Sequence, residues 1–147
     1  MTAFYSGNGS IQVSKAIVES EGFNDVLHKL YELDPEFQFE EIEEGFYNLN
    51  FSNNYSYNAI SEMDDLLKEL GKFLPTAQTI FYEYEGDNGE LVIGPDDESV
   101  KKETIKNYVN TVSNAIQMLT SFGEEYESEY QMIVSVLDRI KTKAGIE

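Results

Sequence analysis

The apolar residues of this chain change period several times, and those changes restrict its architecture more than any other feature. In "GFNDVLHKLYELDP", Phe23, Val26, Leu27, Leu30 and Tyr31 recur at the spacing of one helical face that ends before Pro35. In "EFQFEEIEEGFYNLNFSNNYSYN" the period drops to two. Phe37 and Phe39 alternate with Gln38 and Glu40, and Tyr47, Leu49 and Phe51 alternate with Asn48 and Asn50. An acidic turn at Glu43-Glu44-Gly45 separates the two runs. The alternation slips by one near Glu41 and Ile42, which predicts a bulge or a strand end there. A further turn at Asn53-Asn54 is expected to lead into a short strand carrying Tyr55 and Tyr57.

The helical period returns in "SEMDDLLKELGKFLP", where Met63, Leu66, Leu67, Leu70 and Leu74 share a face and Pro75 stops it. Ser61 and Asp64 have the spacing of a capping box at its start. Ahead of the first helix, "AFYSGNGSIQVS" reads as a strand or hairpin with Gly7-Asn8-Gly9 as the turn and Ile11 and Val13 in alternation. In the last third, Ile105, Val109, Val112, Ile116 and Leu119 are spaced 4, 3, 4 and 3, and Tyr126, Tyr130, Ile133, Leu137 and Ile140 repeat that spacing. Joined through "TSFGEE", the two stripes describe an antiparallel helical hairpin, suited equally to packing on a sheet or to a dimer seam. The expected order is β-α-β-β-α-β-β-α-α. It is an α+β chain of one domain over residues 1–147, with an antiparallel sheet of about five strands and helices on one face.

Charge narrows the partners. The chain has 28 acidic and 10 basic residues, for a net charge of −18. Ten acids and no base lie between Lys29 and Lys68, and seven more lie between Lys72 and Lys101. Such a surface repels nucleic acid and anionic membranes, so neither is an expected partner. Ten Tyr and nine Phe supply a core that acidic disordered chains lack. With no cysteine, disulfides and thiol chemistry are excluded. "MTAFYSGNGS" has neither a basic leader nor an apolar run, and a cytoplasmic location is expected.

The stretch "EYEGDNGELVIG" packs Glu83, Glu85, Asp87 and Glu90 around an Asn-Gly pair. No register satisfies an EF-hand loop, which needs Gly at its sixth position and Glu at its twelfth. A hairpin with Asn88-Gly89 at the centre of a type I′ turn fits without adjustment. In that register Asp87 faces Glu90. Ile80, Tyr82, Tyr84, Leu91 and Ile93 form the core face, and the four carboxylates share the other with Phe81 and Val92. Like charges set opposite each other are mildly destabilising, so the arrangement is either a solvated face or a surface for a cationic partner.

Glu40, Glu41, Glu43 and Glu44, beside Glu36, extend the same anionic surface or form a solvated turn. Asp96, Asp97 and Glu98 read as helix capping, as do the first of Glu124, Glu125, Glu127 and Glu129. His28, the single histidine, has no orienting carboxylate in its local sequence and no second metal ligand. HExxH, GxSxG and glycine-rich phosphate patterns are absent, so no enzymatic role, metal or cofactor is expected. "YNLNFSNNYSYN" has the Tyr/Asn composition of binding surfaces, with Tyr55 and Tyr57 as candidate aromatic anchors.

In composition the chain resembles the small acidic anti-restriction and anti-CRISPR proteins encoded by phages, some of which imitate DNA. The resemblance implies an inhibitor that occupies the basic, nucleic-acid-binding surface of a nuclease or defence enzyme. Its contacts would be Glu83, Glu85, Asp87, Glu90, Glu40, Glu41, Glu43, Glu44, Tyr55 and Tyr57. An immunity protein that neutralises a cationic toxin would use the same physics. A structural protein assembling through its C-terminal helices and a carboxylate-dependent hydrolase are the readings from other classes.

Overall fold

Thr2–Gln12 form one uninterrupted strand, β1, at the centre of the sheet. The structure, a computed structural model, describes residues 1–146. Gly7 and Gly9 do not turn the chain. Both lie on the core face of β1, and a Cβ on Gly7 would sit 2.5 Å from Cζ of the buried Phe51. Gly7 lets the Phe51 ring rest on the backbone and Gly9 lies close against Thr79 and Ile80, so the expected turn gives way to a strand.

β2 (Gln38–Glu43), β3 (Phe46–Ser56), β4 (Gln78–Tyr84) and β5 (Asp87–Ile93) complete a five-stranded antiparallel sheet in the order β2-β3-β1-β4-β5. The register shift expected near Ile42 is present between Glu41 and Glu43. The turn expected at Asn53-Asn54 is not. Those residues pair with Tyr5 and Phe4 inside an unbroken β3, because β1 offers a partner along the whole length.

The short helix α1 (Lys15–Val18) and α2 (Glu21–Leu33) follow β1, and α3 (Tyr57–Gly71) joins β3 to β4. Phe23, Val26, Leu27 and Leu30 of α2 and Met63, Leu66, Leu67 and Leu70 of α3 are buried with Ile11, Leu49, Phe51, Ile80 and Ile93 of the sheet. α3 begins a turn earlier than the Ser61 cap implies. Ser56 caps it instead, accepting from the Ala59 N–H at 3.1 Å.

The expected element order is therefore present, with α1 and a 3₁₀ turn (Gln117–Phe122) as additions. The chain divides into two compact units, Met1–Val100 and Lys101–Glu147, a finer division than the single domain its sequence suggests. α4 (Asp97–Ile116) starts in the first unit, where Asp96 caps it by accepting from the Ser99 N–H at 2.7 Å. That bond and a second one to Ser99 hold the Asp96 carboxyl below its ordinary pKa. α5 (Glu127–Ala144) completes the second unit, in which Val109 and Leu137 are the buried apolar side chains. No helix among the described residues is long and apolar enough to cross a membrane.

Candidate cation-binding cleft

The acidic hairpin turns at a different place from the one its sequence suggests. Tyr84 pairs with Asp87, Glu83 with Asn88, Tyr82 with Gly89 and Phe81 with Glu90, so Glu85-Gly86 is the two-residue loop. Both loop residues have positive φ, 49° and 88°, as a type I′ turn demands. The start of β1 fixes this register. The Glu85 N–H donates to the Phe4 carbonyl at 3.0 Å, and the Phe4 N–H donates to Glu85 Oε1 at 3.2 Å. Gly89 is thereby released for another use: a Cβ on it would lie 2.3 Å from Tyr82 Cζ.

This register redistributes the carboxylates. Glu83 and Glu90 remain on the open face of the sheet, Glu85 is in the loop, and Asp87 stands opposite Tyr84 on the core side. The expected row of four acids on one face does not form. Glu40, Glu41, Glu43 and Glu44 do not extend it either. They belong to β2 and its turn, at the other edge of the sheet, about 19 Å away at the usual strand spacing. Glu41 is turned toward the Tyr47 hydroxyl at 3.3 Å.

Tyr55 is not an exposed anchor. It is buried, and its hydroxyl donates to the buried Asp34 carboxylate at 2.5 Å. Burial first, and then that bond and the carboxylate charge, push the Tyr55 phenol above its ordinary pKa. Tyr57 is half exposed, in the first turn of α3. His28 does have a carboxylate in reach: Glu32 lies 3.1 Å from its Nε2, one helical turn on and in solvent.

The displaced turn and the early start of α3 together frame an open cleft of about 690 Å³ at the β4-β5 end of the sheet. α3 supplies Tyr57, Ile60, Ser61 and Asp64. The hairpin supplies Tyr82, Tyr84, Asp87, Asn88, Glu90 and Leu91. Tyr5 forms the floor. It is buried, with ring centroids of Tyr82 and Tyr84 at 5.9 and 6.3 Å, and its hydroxyl donates to Asp64 Oδ1 at 2.6 Å. Burial, the Asp64 bond and the Asp64 charge raise its phenol above the ordinary value.

Four tyrosines and the carboxylates of Asp64 and Asp87 therefore line one concavity, which Glu90 borders on the edge strand with its side chain alternating toward the open face, and no basic residue lines it. Tyrosine faces attract cations through the ring quadrupole, and carboxylates add charge and hydrogen-bond acceptors for N–H donors. The chemistry suits an ammonium or guanidinium group.

Of the expected contacts, Asp87, Glu90 and Tyr57 meet in this cleft; Glu83, Glu85, Tyr55 and the β2 acids do not line it. Sequence reasoning assigned Asp64 to a helix cap and Tyr5, Tyr82 and Tyr84 to a strand or a core face. The available signal was the use of Tyr where Leu or Val would fill a core, since a Tyr hydroxyl seeks a polar partner or solvent. Comparison with known proteins finds no matching family model, curated protein or solved structure.

Proposed function

We propose that this protein is a non-enzymatic acidic binding protein, an inhibitor that occupies a basic surface of a partner protein such as the nucleic-acid groove of a nuclease or defence enzyme. One basic side chain of the partner enters the tyrosine-carboxylate cleft. The observation that carries this reading is the meeting of Tyr57, Tyr82, Tyr84, Asp64 and Asp87 around one cavity, with Glu90 at its border. It lies in a unit, residues 1–100, that holds 21 of the 28 acidic side chains and four of the ten basic ones.

The two features act at different ranges. Charge excess steers a basic partner during encounter and raises the association rate, an effect that salt screens. The cleft acts at contact. A cation on a tyrosine face contributes about 0.5–2 kcal/mol, and an exposed carboxylate pair about 0–1 kcal/mol. One side chain in the cleft is therefore an anchor, and the surrounding acids complete the affinity.

The test is capture of a basic partner at low salt by the wild-type chain, compared with Asp87→Lys/Glu90→Lys. The reading expects steep weakening with salt and loss of capture in the variant, whose far-UV circular dichroism stays native. Capture that is equal in both proteins would place recognition elsewhere and refute the role of the cleft.

A further inference from the structure

β5 is an edge of the sheet, and its outer side carries no strand. Tyr84 and Asp87 flank the two-residue loop and bond to each other, so alternation turns the N–H and C=O of Asn88, Glu90 and Val92 away from β4. The Glu85 N–H, which donates to Phe4 on β1, has the parity this requires. Among the described residues, no hydrogen bond reaches that outer row. Edge strands are ordinarily blunted by a bulge, a lysine or a proline. β2, the opposite edge, has a bulge between Glu41 and Glu43. β5 has no register shift, lysine or proline, and its Asp87, Asn88 and Glu90 are exposed.

The free row opens onto the cleft. Asn88 and Glu90 stand at its margin although their side chains alternate to the open face, so it is their main chain that the cleft meets. A strand added beside β5 sends every second side chain to the core side, next to Asp87 and Leu91 and toward Tyr82, Tyr84 and Asp64. Charge selects the occupant. Neither strand of the hairpin carries a basic residue, Asp87 lies on the core side, and Glu83 and Glu90 lie on the open face. Lys68 and Lys72 share a second cavity with Val92 and Ile93, in company with Asp96 and Asp97, so the uncompensated charge belongs to the half of β5 nearest the loop. A second copy paired antiparallel on that exposed half would bring Asp87 and Glu90 of both copies together, which like charges oppose. We infer that β5 takes up an extended basic segment of the partner protein as an added antiparallel strand, every second side chain of which enters the cleft. Main-chain bonds to Asn88, Glu90 and Val92 then supply the hold, and the cleft supplies the selection for cationic side chains, given the cation-binding role proposed for it above.

The experiment titrates the full chain with a peptide as long as β5 in which arginine and threonine alternate, and with two N-methylated forms of it. With arginines in the cleft, an antiparallel strand bonds to β5 through its threonine residues, whose side chains share the open face with Glu90. Methylation of the threonine amides is expected to weaken binding by about tenfold or more, and methylation of the arginine amides to leave it unchanged. The parent peptide should also slow amide hydrogen exchange at Asn88, Glu90 and Val92 while shifting the Tyr57, Tyr82 and Tyr84 ring resonances. Ring shifts with equal affinity for both methylated forms would overturn strand addition and leave the cleft reading standing. Loss of affinity on methylating the arginine amides alone would overturn the antiparallel register. Binding that moves none of the three rings, or no binding by the parent peptide, would overturn both readings. Protection of the three amides in the free protein that fades on dilution would show a second copy on the edge and overturn the inference.

Discussion

The Tyr5 hydroxyl donates to Asp64 Oδ1 at 2.6 Å, tying the central strand to α3 across the floor of the cleft. Asp64 is thereby both a cleft wall and the acceptor that holds the floor ring in place. Hydrogen bonds to charged groups contribute about 1.5–3 kcal/mol, and partial solvent access at Asp64 places this one near the lower figure. Tyr5→Phe should therefore lower stability by about 1–2 kcal/mol in urea unfolding. Its ring contacts with Phe51, Tyr82 and Tyr84 persist, so the fold survives.

Tyr55 and Asp34 form a second such pair, wholly inside. Asp34 Oδ1 accepts from the Glu36 N–H at 2.9 Å and Oδ2 from Tyr55, closing the end of α2 onto β3. Tyr55→Phe removes the donor from a buried carboxylate oxygen and is expected to cost about 1–3 kcal/mol. Because Tyr55 is buried, that variant should bind a basic partner as wild type does once its stability loss is allowed for. A binding loss as large as that from altering Tyr57 would restore Tyr55 to the recognition surface.

Both buried phenols make stability depend on alkaline pH. Each has a folded-state pKa raised above the ordinary value of 10.0, Tyr5 and Tyr55 alike, chiefly by burial. Above that value the unfolded chain releases protons that the folded chain retains, so the phenols' contribution is complete below pH 10 and is lost progressively as pH rises above it. Thermal melts across this range should show a steep decline in wild type and a shallower one in Tyr5→Phe/Tyr55→Phe. Equal slopes in the two proteins would contradict the assignment.

The glycines separate two uses that look alike in sequence. Gly7→Ala drives a methyl into the buried Phe51 ring, and overpacking of that kind costs about 1–3 kcal/mol. Gly89→Ala meets the hydroxyl end of Tyr82, which has room to swing toward the open cleft. The expected outcome is a smaller stability loss with altered Tyr82 ring resonances. Equal melting losses in the two variants would contradict the difference in confinement.

Much of the fold was legible because hydrophobic period depends only on which face each residue presents. The helix faces at Phe23–Leu30 and Met63–Leu70, the alternation of Tyr47, Leu49 and Phe51, and the bulge near Ile42 all follow from it. Turn positions were legible only in part. Gly7-Asn8-Gly9, Asn53-Asn54 and Asn88-Gly89 carry strong turn chemistry, yet all lie within strands. The β2-β3 turn falls at Glu44-Gly45, within the expected Glu43-Glu44-Gly45, but the acidic hairpin turns at Glu85-Gly86. Glycine permits a positive φ and also the close approach of a ring, and the difference appears only when the ring's position is known. The site inherited that ambiguity. A hairpin displaced by three residues sends Asp87 to the cleft and leaves Glu83 on the opposite face.

The most direct test of the central claim is a titration of an arginine-rich peptide into the full chain, followed by the NMR resonances of tyrosine rings in wild type and in Asp87→Lys/Glu90→Lys. The cleft account predicts saturable shifts at Tyr57, Tyr82 and Tyr84 in wild type, weakened by salt and absent in the charge-reversed protein. Saturable binding that leaves those three rings unmoved, or that persists unchanged in Asp87→Lys/Glu90→Lys, would contradict it.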